Sequence, residues 1–134
     1  ETVGGVSADG TFIAVHSFNG ELTAYDGDGR VLWQRANSIS SNATVGTGHT
    51  GLKVTPDGQW ILVGNWDGTV ALYDRTGTIR WTYTTPDPQE TRPPTSFCYT
   101  GTCIGAQSVD MSDDARILVV GFENSVIRIF QREP

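Results

Sequence analysis

The sequence predicts an all-β chain built from a repeated four-stranded unit, and three observations predict it. Sixteen glycines in 134 residues separate short runs rich in Val, Ile, Thr, Tyr and Trp, the composition of strands joined by tight turns. No stretch has apolar residues at helical spacing between capping signals, so no helix is placed. The chain also matches itself when shifted along its own length.

A shift of 48 residues lays the first third on the second. Val6-Ser7-Ala8-Asp9-Gly10 falls on Val54-Thr55-Pro56-Asp57-Gly58, Asn19-Gly20 on Asp67-Gly68, Tyr25-Asp26 on Tyr73-Asp74, Gly29 on Gly77 and Trp33 on Trp81. A further shift of 57 puts Met111-Ser112-Asp113-Asp114 on residues 54–57, Gly121 on Gly64, Asn124-Ser125 on Asp67-Gly68 and Ile129-Phe130 on Leu72-Tyr73. A period in the forties with several strands per period signals a β-propeller.

The elements follow in order. Blade 1 covers about residues 1–36: an inner strand from Glu1 to Val6, where Gly4-Gly5 permits close approach near the axis, then strands over Thr11 to Phe18, Glu21 to Asp26 and Val31 to Arg35. Residues 37–48 are a Ser/Thr/Asn/Gly-rich surface connection. It contains Asn42-Ala43-Thr44, an N-glycosylation sequon that matters only in an exported chain.

Blade 2 covers about residues 49–84. Asp57-Gly58 signals a type I′ turn, with positive φ at both central residues. Trp60 to Val63 is a continuous apolar run, as in a strand covered on both faces. Turns at Asp67-Gly68 and Asp74 to Gly77 flank the strand from Thr69 to Tyr73. The last strand alternates, with Ile79, Trp81 and Tyr83 on one face, so it lies outermost. Residues 85–103 form a Pro-rich loop ending in a Cys pair. A partial blade 3, about residues 104–131, lacks its outer strand. About three blades leave two open flanks and an unpaired edge, a predicted association site.

The residues from Ala24 to Trp33 and from Ala71 to Trp81 resemble the tryptophan-docking motif of the quinoprotein (PQQ)-like propeller repeats. Gly48-His49 precedes Tyr73-Asp74 at a spacing similar to that between the Gly-His and Trp-Asp dipeptides of WD40-like repeats. The resemblance implies that Trp33 and Trp81 pack on the neighbouring blade and that His49 bonds Asp67. The third repeat departs from it, with Phe130-Gln131 where the others have Tyr-Asp. The vicinal Cys pair of the quinoprotein family is absent.

Charge and composition narrow the partners. A formal charge of -6 without a Lys/Arg cluster argues against nucleic acid and anionic membrane surfaces. No apolar run approaches the roughly 20 residues of a membrane span. Cys98 and Cys103 flank a Gly turn; a small disulfide-closed hairpin is the leading reading, which implies an oxidising compartment, with two free thiols or half a metal site as alternatives. The first residue is Glu, so either a leader has been removed or the chain is a piece of a longer product.

The catalytic inventory is sparse. Asp26-Gly27-Asp28-Gly29 hints at calcium but lacks the ligands an EF-type loop needs further on, so it reads as a turn. His16 and His49 sit in no nucleophile arrangement, and Ser7 lacks an elbow motif. Asp9, Glu21, Asp110 and Glu123 could pair as glycosidase carboxylates only if the fold brought them together. Phe18, Trp66 and Phe122 flank the same turn in the three repeats and are either a contact surface for protein or glycan, or inter-blade packing. The expectation is a non-enzymatic, exported propeller module, extracellular or at the cell surface, with no catalytic residue, cofactor or metal, acting by protein contacts or self-assembly. The alternatives are a fragment of a quinoprotein-like enzyme or assembly factor, and a carbohydrate-binding propeller.

Overall fold

Each repeat carries the same turn chemistry after its inner strand, ending that strand and starting the next. The Ser7 hydroxyl donates to Asp9 Oδ1 at 2.7 Å, and that oxygen accepts the Thr11 N–H at 3.0 Å. Thr55, Asp57 and the Gln59 N–H repeat this at 2.7 and 3.0 Å, and Ser112, Asp114 and the Arg116 N–H at 2.7 and 3.1 Å. The carboxylate thus satisfies a turn donor that no ladder would reach.

The turn type corrects the expectation of type I′ at Asp57-Gly58. The Gly58 N–H donates to the Thr55 carbonyl at 2.8 Å, and of the two residues only Gly58 has positive φ, 69°. Asp57, with its carboxylate engaged by Thr55 and Gln59, keeps negative φ, so one left-handed glycine closes a four-residue turn.

The computed structural model describes residues 2–17, 21–36, 51–65, 68–84, 105–122 and 125–133. Every described element is a strand: β1 (Thr2–Val6), β2 (Phe12–Ser17), β3 (Glu21–Asp26), β4 (Val31–Ala36), β5 (Leu52–Val54), β6 (Trp60–Gly64), β7 (Val70–Asp74), β8 (Ile79–Tyr83), β9 (Ala106–Met111), β10 (Ile117–Phe122) and β11 (Ile127–Gln131). They form two four-stranded antiparallel meanders, β1-β2-β3-β4 and β5-β6-β7-β8, and a three-stranded one, β9-β10-β11. The chain is all-β, in propeller-type blades. Among the described residues no helix is long and apolar enough to cross a membrane.

Two apolar clusters join the blades. The first holds Phe12, Ala14, Leu22 and Ala24 of blade 1 against Val54, Ile61, Val63, Ala71 and Tyr73 of blade 2. The second holds Leu62, Val70 and Leu72 of blade 2 against Ala106, Met111, Leu118, Val120 and Phe122 of blade 3. Adjacent residues of β6 and β7 therefore serve opposite seams, which is why β6 is apolar throughout and β7 from Val70 to Tyr73. The inner strands meet closely. A Cβ on Gly5 would lie 2.9 Å from side-chain carbons of both Leu52 and Val54.

One pairing irregularity redirects a side chain. The β7–β8 register shifts between Leu72 and Tyr73. The bulge turns Ile79 toward the first seam, while Trp81 and Tyr83 face the second. The expectation that all three share one face is corrected: a bulge resets the period of two.

Candidate functional site

The outer ends of the two seams are built from corresponding residues but closed differently. In the first seam the Trp33 indole lies on the turn between β7 and β8. Its Nε1–H donates to the Arg75 carbonyl at 2.8 Å. A Cβ on Gly77, whose φ is +81°, would meet the Trp33 ring at 3.0 Å. Only a glycine lets the indole settle this closely. The Arg75 guanidinium stands 4.6 Å from the Phe12 ring centroid, and its Nη1 donates to the Gly58 carbonyl at 3.3 Å.

In the second seam the Arg132 guanidinium stands 4.2 Å from the Trp60 ring centroid, the counterpart of Arg75 on Phe12. Trp81, the counterpart of Trp33, meets Phe130 edge-on with ring centroids 4.8 Å apart. Among the described residues its indole N–H has no hydrogen-bond acceptor. Beside it opens a cavity of about 470 Å³ lined by Gln59, Trp60, Asp74, Arg80, Trp81, Arg132 and Glu133. The strand β11 borders it as the edge of a three-stranded sheet, where blades 1 and 2 carry a fourth strand.

The cavity wall carries charges of both signs, Asp74 and Glu133 with Arg80 and Arg132. Burial pushes the Asp74 carboxyl upward. The Thr76 hydroxyl, the Arg80 guanidinium at 2.7 Å and the backbone N–H groups of Thr78 and Thr76 outweigh it and hold the pKa at about 2. Asp74 is therefore an anion whose lone pairs are engaged, unsuited to act as an acid or base near neutrality.

The other sequence candidates lie apart. His16 is buried in blade 1, 3 % exposed, and burial lowers its pKa, so it is a neutral interior side chain. Asp9 is held in its turn by the Thr11 N–H and the Ser7 and Thr11 hydroxyls, with a pKa of about 2. Asp110 pairs with Lys53 at 3.4 Å, and Glu21 begins β3. Among the described residues Asp9, Glu21 and Asp110 do not group together, and Glu123 lies outside those residues. Asp26 Oδ1 accepts the N–H groups of Asp28 and Arg30, both at 2.9 Å, which makes that segment a strand-joining turn. Among the described residues no three His, Cys, Asp or Glu side chains group to hold a metal ion.

Phe122 lies in inter-blade packing, the second of its two readings. It is 6 % exposed and packs 6.2 Å from the Tyr83 ring, because Leu118, Val120 and Phe122 alternate onto the seam face of β10. Phe18, Trp66, Asn42, His49, Asp67, Cys98 and Cys103 lie outside the described residues. Arg75 and Arg132 carry no motif that marks them in the sequence. The signal for them was present, since the shift that lays Ile129 on Leu72 also lays Arg132 on Arg75.

No curated protein matches the chain. A comparison with protein families matches residues 1–132 to the family described as outer membrane protein assembly factor BamB. With three blade-like sheets and that match over nearly its whole length, the chain belongs to this family of quinoprotein-like propeller repeats.

Proposed function

We propose that the chain is a non-enzymatic propeller module of an assembly-factor type, exported from the cytoplasm, that works by holding polypeptide. One observation carries this reading. In the first seam, the space corresponding to the cavity is filled by a peptide turn, and the indole N–H there donates to a backbone carbonyl. The Trp81 cavity presents the same indole donor to a polypeptide turn, from this chain or another, with β11 alongside. Edge pairing supplies affinity through main-chain bonds, and the cavity supplies selectivity. The family description, an assembly factor of outer membrane proteins, supports both a protein partner and an extracytoplasmic setting.

The test is a synthetic peptide with the sequence of residues 75–83, which carries the turn and strand that close blade 2. Saturable quenching of tryptophan fluorescence and slowed amide exchange along β11 are expected, with affinity reduced at least about tenfold in Trp81→Ala, as for loss of a central aromatic anchor. No binding, or binding indifferent to Trp81→Ala, overturns the polypeptide reading. Turnover of a substrate by the purified chain overturns the non-enzymatic one.

A further inference from the structure

We infer that the Asp28-Gly29 pair, in the turn from β3 to β4, is a site of spontaneous covalent modification, at which the aspartate converts to iso-aspartate. This turn lies in blade 1, apart from the Trp81 cavity.

The conversion needs a carboxyl carbon that the nitrogen of the next residue can reach, and a following glycine shields that nitrogen least. Four Asp-Gly pairs lie wholly within the described residues: Asp9-Gly10, Asp26-Gly27, Asp28-Gly29 and Asp57-Gly58. As dipeptides they are identical. In the fold, two properties separate them: whether the carboxylate is tied down, and whether the glycine has room around it.

Three of the carboxylates are tied. Asp9 Oδ1 accepts the Ser7 hydroxyl at 2.7 Å, the Thr11 hydroxyl at 2.8 Å and the Thr11 N–H at 3.0 Å. Asp57 Oδ1 accepts the Thr55 hydroxyl at 2.7 Å and the Gln59 N–H at 3.0 Å. Asp26 Oδ1 accepts the N–H groups of Asp28 and Arg30, both at 2.9 Å. These bonds must break before the carboxyl carbon turns to the next nitrogen, and bonds to a charged acceptor are the strong ones. Two of the glycines are also crowded. A Cβ on Gly27 would lie 2.6 Å from the Gly10 carbonyl oxygen, and one on Gly58 would lie 2.6 Å from Arg75 Nη1 and 3.1 Å from Phe12 Cβ.

Asp28-Gly29 is free of both restraints. Asp28 is exposed, and among the described residues its carboxylate accepts no hydrogen bond. A Cβ on Gly29 would meet nothing within 4 Å. One bond opposes the reaction, from the Gly29 N–H to the Asp26 carbonyl at 3.1 Å. It closes an exposed turn, which opens locally without unfolding the sheet.

In the first step the Gly29 nitrogen adds to Asp28 Cγ. A C–N bond forms, and a carboxyl oxygen leaves as water with the amide proton and one proton from solvent. In the second step water opens the resulting succinimide. Cleavage of the Cγ–N bond restores aspartate. Cleavage at the main-chain carbonyl leaves iso-aspartate, with the main chain running through Cβ and Cγ. The water and the solvent proton are returned, no electrons are transferred and the mass is unchanged. The main chain gains one methylene just before β4, whose Trp33 is tied to the Arg75 carbonyl across the first seam. Conversion therefore loosens β4.

The test is prolonged incubation of the full chain, folded in buffer and unfolded in urea, followed by peptide mapping with electron-transfer fragmentation, which tells iso-aspartyl from aspartyl residues. Unfolded, the four pairs are expected to convert at similar rates. Folded, Asp28 is expected to convert first, with the other three held well below their unfolded rates. Asp28→Glu, which would have to close a larger and slower-forming ring, is expected to keep the fold, as circular dichroism melting checks, and to abolish the early product. A folded chain in which Asp28 converts no faster than Asp9, Asp26 or Asp57 overturns the inference. So does a folded chain without iso-aspartate at 28 over a time that converts the unfolded one, or an early product that survives Asp28→Glu. The converted chain, separated by reversed-phase chromatography and refolded, is expected to show faster amide exchange along β4 than the unconverted chain treated alike. Equal exchange overturns the loosening of β4.

Discussion

His16 shows how burial decides chemistry for a single side chain. From sequence it was one of two imidazoles that could serve as a general base. The fold puts it in blade 1 at 3 % exposure, and desolvation favours its neutral form. A base whose folded pKa is lowered binds fewer protons folded than unfolded. Its contribution is therefore complete above the unfolded value of about 6.5 and is lost as pH falls below it. Chemical denaturation at pH 8 and pH 5 is expected to show wild type losing more stability on acidification than His16→Gln does. Equal losses would remove His16 from the pH response. The tryptophans make the same point about context. Trp33 and Trp81 match under the repeat shift, yet Trp33 donates to a backbone carbonyl and Trp81 borders a cavity. The difference arises from the segment each one faces, which lies in another blade.

At the scale of elements, the turns carry most of the specification. Ser or Thr followed two residues later by Asp recurs in all three repeats, and each copy bonds its own backbone in the same way. The third repeat departs where glycine is expected. Ala115 and Ser125 have φ of 54° and 67°, at the positions of Gly58 and Gly68 with φ of 69° and 84°. A left-handed conformation costs a residue with a Cβ about 1–2 kcal/mol. Ser125→Gly is therefore expected to stabilise the chain by up to about 1 kcal/mol, after the extra unfolded-state entropy of glycine is allowed for. Urea denaturation measures this, and an unchanged or lower midpoint would show that the strain is relieved another way. Strand starts, strand ends and turns were legible in the sequence because they are set by residues within a few positions of each other. The face of Ile79 was not, because the bulge between β7 and β8 depends on the partner strand.

For the molecule as a whole, the close approach of neighbouring blades is the controlling feature. Gly64 marks it in the second seam: a Cβ there would lie 2.7 Å from the Ala106 carbonyl oxygen and 3.0 Å from the side chains of Ala106 and Val109. Gly64→Ala is expected to cost about 1–3 kcal/mol, as overpacking of a fitted interior does. Thermal melting checks it, and a neutral result would mean that β9 can move away freely. The sequence by itself determined that the chain is all-β, that it repeats, and where the strands and turns fall, since alternation, turn residues and period are local properties of the chain. Only the tertiary structure decided which aromatics pack and which line a cavity, that Phe122 is interior, that Asp9, Glu21 and Asp110 stay apart, and that Arg75 and Arg132 stack on the preceding blade. Those facts depend on how two sheets meet across a seam, and residues that meet there are dozens of positions apart along the chain.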